Sequence, residues 1–128
     1  MADPRPLILV VEDDERSRKL LGEVLRDEGY IVVDAASGEM ALREIRRPMA
    51  RFDLVLLDIN LPGLSGHHVA REIRNDALHG KIPILAITAV TQPDAVVEIL
   101  EAGCNAYLGK PTQMKEVREM VALLLQEE

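Results

Sequence analysis

The chain of 128 residues is poor in cysteine, aromatic residues and positive charge. Its single cysteine, Cys104, excludes an internal disulfide, and we expect a small buried side chain there and no reactive thiol. Tryptophan is absent and aromatic residues make up 2%, which excludes the stacking platforms that bind single-stranded nucleic acid. The formal net charge of -7 also argues against nucleic acid, because such surfaces are basic. We expect no nucleic-acid partner.

Long apolar runs are also missing from the sequence. A membrane-spanning helix needs about 20 apolar residues, and no run approaches that length. Leu7–Val11 is too short for the core of a signal peptide and leads directly into Glu12, Asp13 and Asp14. We therefore predict a cytoplasmic protein with no membrane partner. Hydrophobic residues make up 48%, so we expect residues 1–128 to form one domain with no output domain after it.

What the sequence does contain is a regular alternation of short apolar runs and helical stripes. Continuous apolar runs are typical of strands that are buried on both faces. The predicted strands are Leu7–Val11, Ile31–Val33, Leu54–Leu57, Ile84–Ile87 and Tyr107–Leu108. The predicted helices carry Leu20, Leu21, Val24 and Leu25; Ala41, Leu42 and Ile45; Val69 and Ile73; Val96, Val97 and Leu100; and Val117, Met120, Val121, Leu124 and Leu125. This alternation predicts an α/β fold: a doubly wound five-stranded parallel sheet, flavodoxin-like in order 2-1-3-4-5, with helices on both faces.

Polar residues follow four of these strands. Glu12 and Asp13 come after the first, Asp58 after the third, Thr88 after the fourth and Lys110 after the fifth. Ligands of open α/β sheets bind outside the carboxyl ends of the strands, where the strand order reverses. We therefore expect Asp13 and Asp58 to face each other there, with Thr88 and Lys110 on one side. Each residue alone is typical of a helix cap, a turn or solvated surface, so the prediction rests on their joint occurrence.

Crowded carboxylates repel one another unless a cation lies between them. Oxygen ligands of this kind suit Mg²⁺, or the similar ion Mn²⁺, which needs only one or two protein carboxylates. The cation and Lys110 would also stabilise the charge of a phosphoryl group on Asp58, and the Thr88 hydroxyl would bind one of its oxygens. The pattern thus predicts metal-assisted phosphoryl transfer.

The segments LILVVEDD, LLDINLPGLSG, PILAITA and AYLGKP resemble the receiver domains of two-component response regulators, of the CheY-like and DivK-like single-domain kind. The resemblance covers essentially the whole chain. It implies that Asp58 is the phosphoacceptor, Asp13 a direct metal ligand and Glu12 the acidic partner that holds metal-bound water. It also implies that Asn60 lends its backbone carbonyl to the metal and that Lys110 contacts the phosphoryl group.

Three further expectations follow from this resemblance. Pro111 would follow Lys110 through a peptide bond that is commonly cis. Thr88 and Tyr107 would form the switch pair, in which the hydroxyl moves toward the phosphoryl group and the ring turns inward behind it. Asn60 and Val90 lie where the family tunes access of the water that removes the phosphoryl group.

The resemblance implies a signalling protein and no metabolic enzyme, although it would catalyse its own phosphorylation and dephosphorylation. The expected partners are a sensor histidine kinase or histidine phosphotransfer protein, and a separate effector that reads the surface of helix 4, strand 5 and helix 5. A monomer or a weak dimer is expected.

Four alternatives remain open on the sequence alone. The chain could be a receiver excised from a larger regulator or hybrid kinase. It could be a haloacid-dehalogenase-type phosphatase, although that family has its nucleophile on an early strand in a D-x-D motif. A flavodoxin-like electron carrier would need more aromatic residues than the three present. A receiver-shaped module that is never phosphorylated is the fourth.

Overall fold

Five strands alternate with five helices in a computed structural model that describes residues 3–126. The strands are β1 (Leu7–Val11), β2 (Ile31–Ala35), β3 (Leu54–Asp58), β4 (Ile84–Thr88) and β5 (Ala106–Gly109). The helices are α1 (Glu15–Asp27), α2 (Gly38–Ile45), α3 (Gly66–Arg74), α4 (Pro93–Glu101) and α5 (Met114–Gln126). The predicted order of elements is confirmed.

All four strand pairings are parallel, and the sheet order is β2-β1-β3-β4-β5. The chain moves from β1 outward to β2, then crosses back to place β3 on the other side of β1. The strand order therefore reverses between β1 and β3, where Val11 pairs with Leu57. This confirms the predicted doubly wound sheet and puts a crevice at the carboxyl ends of these two strands.

Alternate residues of each strand pack against opposite layers of helices. On β1, Leu9 and Val11 belong to the core under α2, α3 and α4, whereas Ile8 and Val10 belong to the core under α1 and α5. Both cores are fully enclosed, since all four side chains are at most 1% exposed. The continuous apolar runs of the sequence reflect this burial on both faces.

Local sequence fixes where most helices begin and end. Asp14, Ser37 and Ser65 accept hydrogen bonds from backbone N–H groups in the first turns of α1, α2 and α3. Gly29 and Gly103 follow α1 and α4 with φ of 94° and 113°, a left-handed conformation that favours glycine. Each helix therefore leaves its strand at a defined residue.

Three details of the prediction were wrong. Leu20, which the sequence assigns to the apolar stripe of the first helix, is 47% exposed. The strands β2 to β5 extend one or two residues beyond the predicted runs, because backbone pairing continues through residues such as Asp34, which is opposite Val10. In α4 the expected stripe does not form the core contact: Val97 and Leu100 are 50% and 47% exposed, and Ile99 is the buried side chain.

A partly buried arginine joins the loops at the end of the sheet opposite the crevice. Arg74, at the end of α3, donates to the carbonyls of Ile82 and Gly103 at 2.7 and 2.9 Å. It also donates to Asn105 Oδ1 at 2.7 Å, and this oxygen accepts the Ile84 N–H at 2.8 Å. Burial lowers the pKa of Arg74. These bonds hold α3, the loop before β4 and the loop before β5 together.

A buried histidine has a similar role near the start of β3. His79 is 1% exposed, its Nε2 accepts the Phe52 N–H at 3.0 Å, and its Nδ1 lies 2.8 Å from Asp76 Oδ2. Burial opposes ionisation of Asp76, but hydrogen bonds from His79 and from backbone N–H groups outweigh it and lower the Asp76 pKa. The histidine thus joins two loops that are distant in sequence.

Within residues 3–126, no helix has the length and apolar character that crossing a bilayer requires.

Candidate functional site

Three carboxylates converge at the carboxyl ends of β1 and β3. Glu12 and Asp13 directly follow β1, and Asp58 is the last residue of β3. One carboxylate oxygen from each of the three lies within 4.8 Å of the others. Glu12 and Asp58 are buried, at 4% and 1% exposure, and Asp13 is exposed. The sheet topology therefore brings together the acidic residues that the sequence separates by 45 positions or more.

The two oxygens of the Asp58 carboxylate have different surroundings. Oδ1 lies 3.0 Å from Lys110 Nζ and accepts the Asn60 N–H at 2.9 Å. Oδ2 is buried and has no hydrogen-bond partner among the described residues. A buried oxygen of a carboxylate is costly without a partner. Asp58 thus has one anchored oxygen and one that is available to a ligand.

Glu12 is held in the same crevice but binds its proton more tightly than usual. Burial raises the pKa of its carboxyl from 4.5 to about 7. The Asp14 N–H, which donates to Glu12 Oε2 at 3.1 Å, opposes this shift, while the neighbouring Asp58 carboxylate adds to it. Lys110 Nζ, 3.9 Å from Glu12 Oε1, favours the ionised form. Repulsion between Glu12 and Asp58 is therefore only partly compensated by Lys110.

The donor set fits a hard divalent cation. All three side chains offer carboxylate oxygens, and two of these side chains are buried. Asp58 Oδ2 has no hydrogen-bond donor in the part of the chain that the structure describes. Mg²⁺ prefers oxygen ligands and uses few protein carboxylates because it retains water. A cation here would remove the repulsion between Glu12 and Asp58. The cluster of Glu12, Asp13 and Asp58 thus fits the magnesium site that the sequence predicts.

The cluster opens into a cleft of about 520 Å³. The carboxylates, Asn60 and Lys110 lie along it, together with Pro111 and side chains of α1 such as Leu20. The Lys110–Pro111 peptide bond is cis. Lys110 is 32% exposed, so its ammonium reaches the buried carboxylate from the edge of the cleft.

The two predicted switch residues do not line this cleft. Thr88 is 1% exposed and borders a separate cleft of about 200 Å³ between α3 and α4. Its hydroxyl donates to the Val90 carbonyl and accepts the Val90 N–H, both at 3.1 Å. Tyr107 is 38% exposed, so its ring is not turned inward in this structure.

Gly66, the first residue of α3, packs against the end of β3. A Cβ atom here would lie 2.6 Å from the Asp58 carbonyl oxygen and 2.5 Å from Ile59 Cα. Only glycine allows α3 to approach the end of β3 this closely. The Gly66 N–H donates to the Ile59 carbonyl at 3.2 Å. The backbone that carries Asp58 is thus braced by the next helix.

The sequence assigns Asn60 roles in metal binding through its backbone carbonyl and in water access, but it does not indicate the hydrogen bond that the side chain makes. Asn60 Oδ1 accepts the N–H of Ala89, which follows β4, at 2.9 Å. The partner is 29 positions away, and no local pattern indicates the bond. It joins the loop after β3 to the loop after β4.

Fold and site together define an α/β domain of the CheY-like class, with a carboxylate cluster suited to a cation at the point where the strand order reverses. A family model for the response regulator receiver domain matches residues 8–122. The chain belongs to this family and is a signal receiver of the response-regulator type.

Curated relatives share most of this chain. The DNA-binding response regulator MtrA of Mycolicibacterium paratuberculosis is 42% identical over 113 residues, which cover 88% of this chain and 48% of MtrA. The sensor histidine kinase AruS of Pseudomonas aeruginosa is 40% identical over 87% of this chain and 11% of the kinase. The chain thus spans about half the length of MtrA and a small part of AruS.

Solved structures show the same fold. The receiver domain of a sensor histidine kinase from Pseudomonas aeruginosa, with a magnesium ion coordinated in its active site cleft, is 34% identical with a TM-score of 0.86. The match covers 95% of this chain and 98% of that one. The chemotaxis protein CheY4 of Vibrio cholerae is 28% identical with a TM-score of 0.88, over 94% and 98% of the two chains.

Family membership decides between several alternatives that the sequence left open. The chain is a receiver and neither a flavodoxin-like electron carrier nor a haloacid-dehalogenase-type phosphatase. Similar segments occur within both a regulator and a kinase, which agrees with a receiver that forms part of a larger protein. The expectation that this chain has no nucleic-acid partner stays a prediction, since MtrA is a DNA-binding response regulator.

Proposed function

We propose that this receiver accepts a phosphoryl group from a phosphohistidine onto Asp58 in a Mg²⁺-dependent reaction. The observation that carries the proposal is the asymmetry of the Asp58 carboxylate. Oδ1 is held by Lys110 and by the Asn60 N–H, while the buried Oδ2 has no hydrogen-bond partner within residues 3–126. An anchored carboxylate with one available oxygen beside a cleft has the geometry of a nucleophile.

In the proposed reaction, an Asp58 oxygen forms a bond to phosphorus while the bond from phosphorus to the histidine nitrogen breaks. The nitrogen keeps the electron pair, and Asp58 becomes an acyl phosphate. Asp13, Asp58 and the Asn60 carbonyl would hold the metal directly, with Glu12 binding it through water. A bound Mg²⁺ supplies positive charge that stabilises the phosphoryl oxygens.

Lys110 contributes at two stages of this reaction. Before transfer, its ammonium orients Asp58 at 3.0 Å and reduces the repulsion from Glu12. After transfer, the same ammonium would pair with a phosphoryl oxygen, because it lies at the edge of the same cleft and the new group adds negative charge there. The lysine is therefore proposed to bind the product as well as to position the nucleophile.

Phosphorylation is proposed to act on the surface formed by α4, β5 and α5. The Thr88 hydroxyl would leave Val90 for a phosphoryl oxygen, and the Tyr107 ring would turn inward behind it. This surface exposes Val97, Leu100 and Leu123 to solvent, each at about half of its area. A population shift of these elements would change what a partner can bind there.

The proposed partners are a sensor histidine kinase or histidine phosphotransfer protein as donor, and an effector that reads the switched surface. A cytoplasmic location, a monomer or weak dimer, and self-catalysed dephosphorylation belong to the same proposal. Receiver domains work with histidine kinases and effectors as a family, and the occurrence of a related segment in AruS supports a kinase as donor.

The proposal is tested with acetyl phosphate, a small donor that replaces the phosphohistidine. Intact-mass spectrometry of the chain incubated with acetyl phosphate and Mg²⁺ should show the addition of one phosphoryl group. Chelation of the metal, or the substitution Asp58→Asn, should abolish it. Equal labelling of Asp58→Asn and the wild type would refute the assignment of Asp58, and labelling that persists in excess chelator would refute the metal requirement.

A further inference from the structure

The loop between β4 and α4 is closed by its own hydrogen bonds. The Thr88 hydroxyl both donates to and accepts from the Val90 backbone, at 3.1 Å each. The Ala89 N–H donates to Asn60 Oδ1 at 2.9 Å. The hydroxyl and the N–H that lie nearest the end of β4 are thus already occupied. Neither is available to a phosphoryl oxygen without a rearrangement.

Asn60 connects this loop to Asp58. Its backbone N–H donates to Asp58 Oδ1 at 2.9 Å, and its side chain accepts the Ala89 N–H at the same distance. Asn60 is an exposed residue, so its carboxamide is not needed to fill the core. The contact that it does make is specific: one side-chain oxygen joins the phosphoacceptor loop to the loop that carries the switch residue.

We propose that the Asn60 side chain is a positioning residue that keeps the β4–α4 loop in its resting conformation by capping the Ala89 N–H. Phosphorylation would then transfer this N–H from the Asn60 amide oxygen to a phosphoryl oxygen. The inference rests on the proposed function of Asp58. It goes further by assigning the resting state to a defined hydrogen bond, in which the amide oxygen and the phosphoryl group compete for one donor.

The surroundings of the loop permit such an exchange. The cleft of about 200 Å³ beside Asn60 is lined by His67, Thr88 and Glu98, so a released carboxamide has both space and polar neighbours there. On the other side the loop is closely packed: a Cβ atom on Gly109 would lie 2.9 Å from Thr91 Cγ2. The loop thus has free space on the side of the cleft and close packing on the side of β5.

The first measurement concerns the resting protein without donor or metal. Asn60→Ala removes the acceptor, and Asn60→Asp keeps an oxygen in the same position. Two-dimensional NMR should show that the Ala89 amide changes its chemical shift and exchanges faster with solvent in Asn60→Ala. Asn60→Asp should restore the protection. Asn75→Ala, the same truncation at an exposed residue that ends α3, is the matched control and should leave Ala89 unchanged.

The second measurement uses beryllofluoride with Mg²⁺, a non-transferable mimic of a phosphoryl group. Removal of the competing acceptor should strengthen beryllofluoride binding to Asn60→Ala by about 2- to 5-fold. This is the lower part of the range that one net hydrogen bond supports, because the Ala89 N–H is exposed. The same factor should reduce the half-saturating acetyl phosphate concentration. The Asn75→Ala control should match the wild type in both.

The outcomes separate this inference from the proposed function. An unchanged Ala89 amide in Asn60→Ala would overturn the inference, and so would a released amide without tighter beryllofluoride binding, because the bond would then be only structural. A wild type that binds beryllofluoride and accepts phosphate normally would leave the proposed function standing in both cases. A wild type that does neither would overturn the proposed function and the inference together.

Discussion

Replacement of Glu12 by glutamine should make the metal-free protein more stable at neutral pH. Glu12 is 4% exposed, and burial beside Asp58 raises its pKa from 4.5 to about 7. Because the folded state holds this proton more tightly than the unfolded chain does, unfolding releases a proton between about pH 4.5 and pH 7. The free energy of unfolding therefore falls as the pH rises through this window. Glutamine has no ionisable carboxyl, so Glu12→Gln removes this pH dependence of the stability.

The size of the effect follows from the pKa shift. Each tenfold change in proton affinity corresponds to about 1.4 kcal/mol. A rise from 4.5 to about 7 thus makes ionised Glu12 less favourable in the folded state by roughly 3 kcal/mol. The stability difference between Glu12→Gln and the wild type should be near zero below about pH 4.5 and grow to roughly 3 kcal/mol above about pH 7.

Urea unfolding followed by far-ultraviolet circular dichroism measures this difference, since the chain has no tryptophan for fluorescence. The titration is carried out in chelator and repeated in excess Mg²⁺, which should raise the stability of the wild type at neutral pH because the cation binds only the folded state. Glu23→Gln, on the exposed side of α1, is the matched control. If the free energies of unfolding of Glu12→Gln and the wild type changed in parallel with pH, ionisation of Glu12 beside Asp58 would not be the cause of the instability.

Two further substitutions test how the scaffold positions the site. Gly66→Ala should lower the free energy of unfolding by about 1 to 3 kcal/mol and slow labelling, because the new Cβ would overlap the backbone at Ile59. Gly22→Ala is the control: its Cβ would closely approach only the flexible end of an arginine, so the change should be neutral or stabilising. Arg74→Met should cost about 1 to 3 kcal/mol in urea unfolding, because partly buried carbonyls lose a charged donor. Arg71→Met, at an exposed position of the same helix, should change the stability little. Equal costs within either pair would contradict the respective role.

Much of the fold follows directly from the sequence because parallel strands are buried on both faces. Val10, Leu56 and Ile87 lie in uninterrupted apolar runs that mark the sheet, and the polar residue that ends each run marks its carboxyl edge. Once the strand order is known, topology alone brings Glu12 and Asp58 together.

The rest depends on contacts that no local pattern records. The bond from Ala89 to Asn60, and the bonds of Arg74 and His79, join loops that are 25 or more positions apart in most cases. The sequence around a single arginine or histidine does not reveal which distant backbone groups its side chain binds. In α4, the apolar spacing predicted a core stripe, but Val97 and Leu100 face solvent because the sheet covers only the side of Ile99. Burial of these groups is decided by tertiary packing.

The central claim is that Asp58, and no neighbouring carboxylate, receives the phosphoryl group. Borohydride reduces an acyl phosphate to an alcohol, so treatment of the labelled protein followed by peptide mass spectrometry identifies the acceptor directly. The account predicts homoserine in place of Asp58, with Glu12 and Asp13 unmodified. Reduction at Asp13 or Glu12, with Asp58 intact, would contradict it.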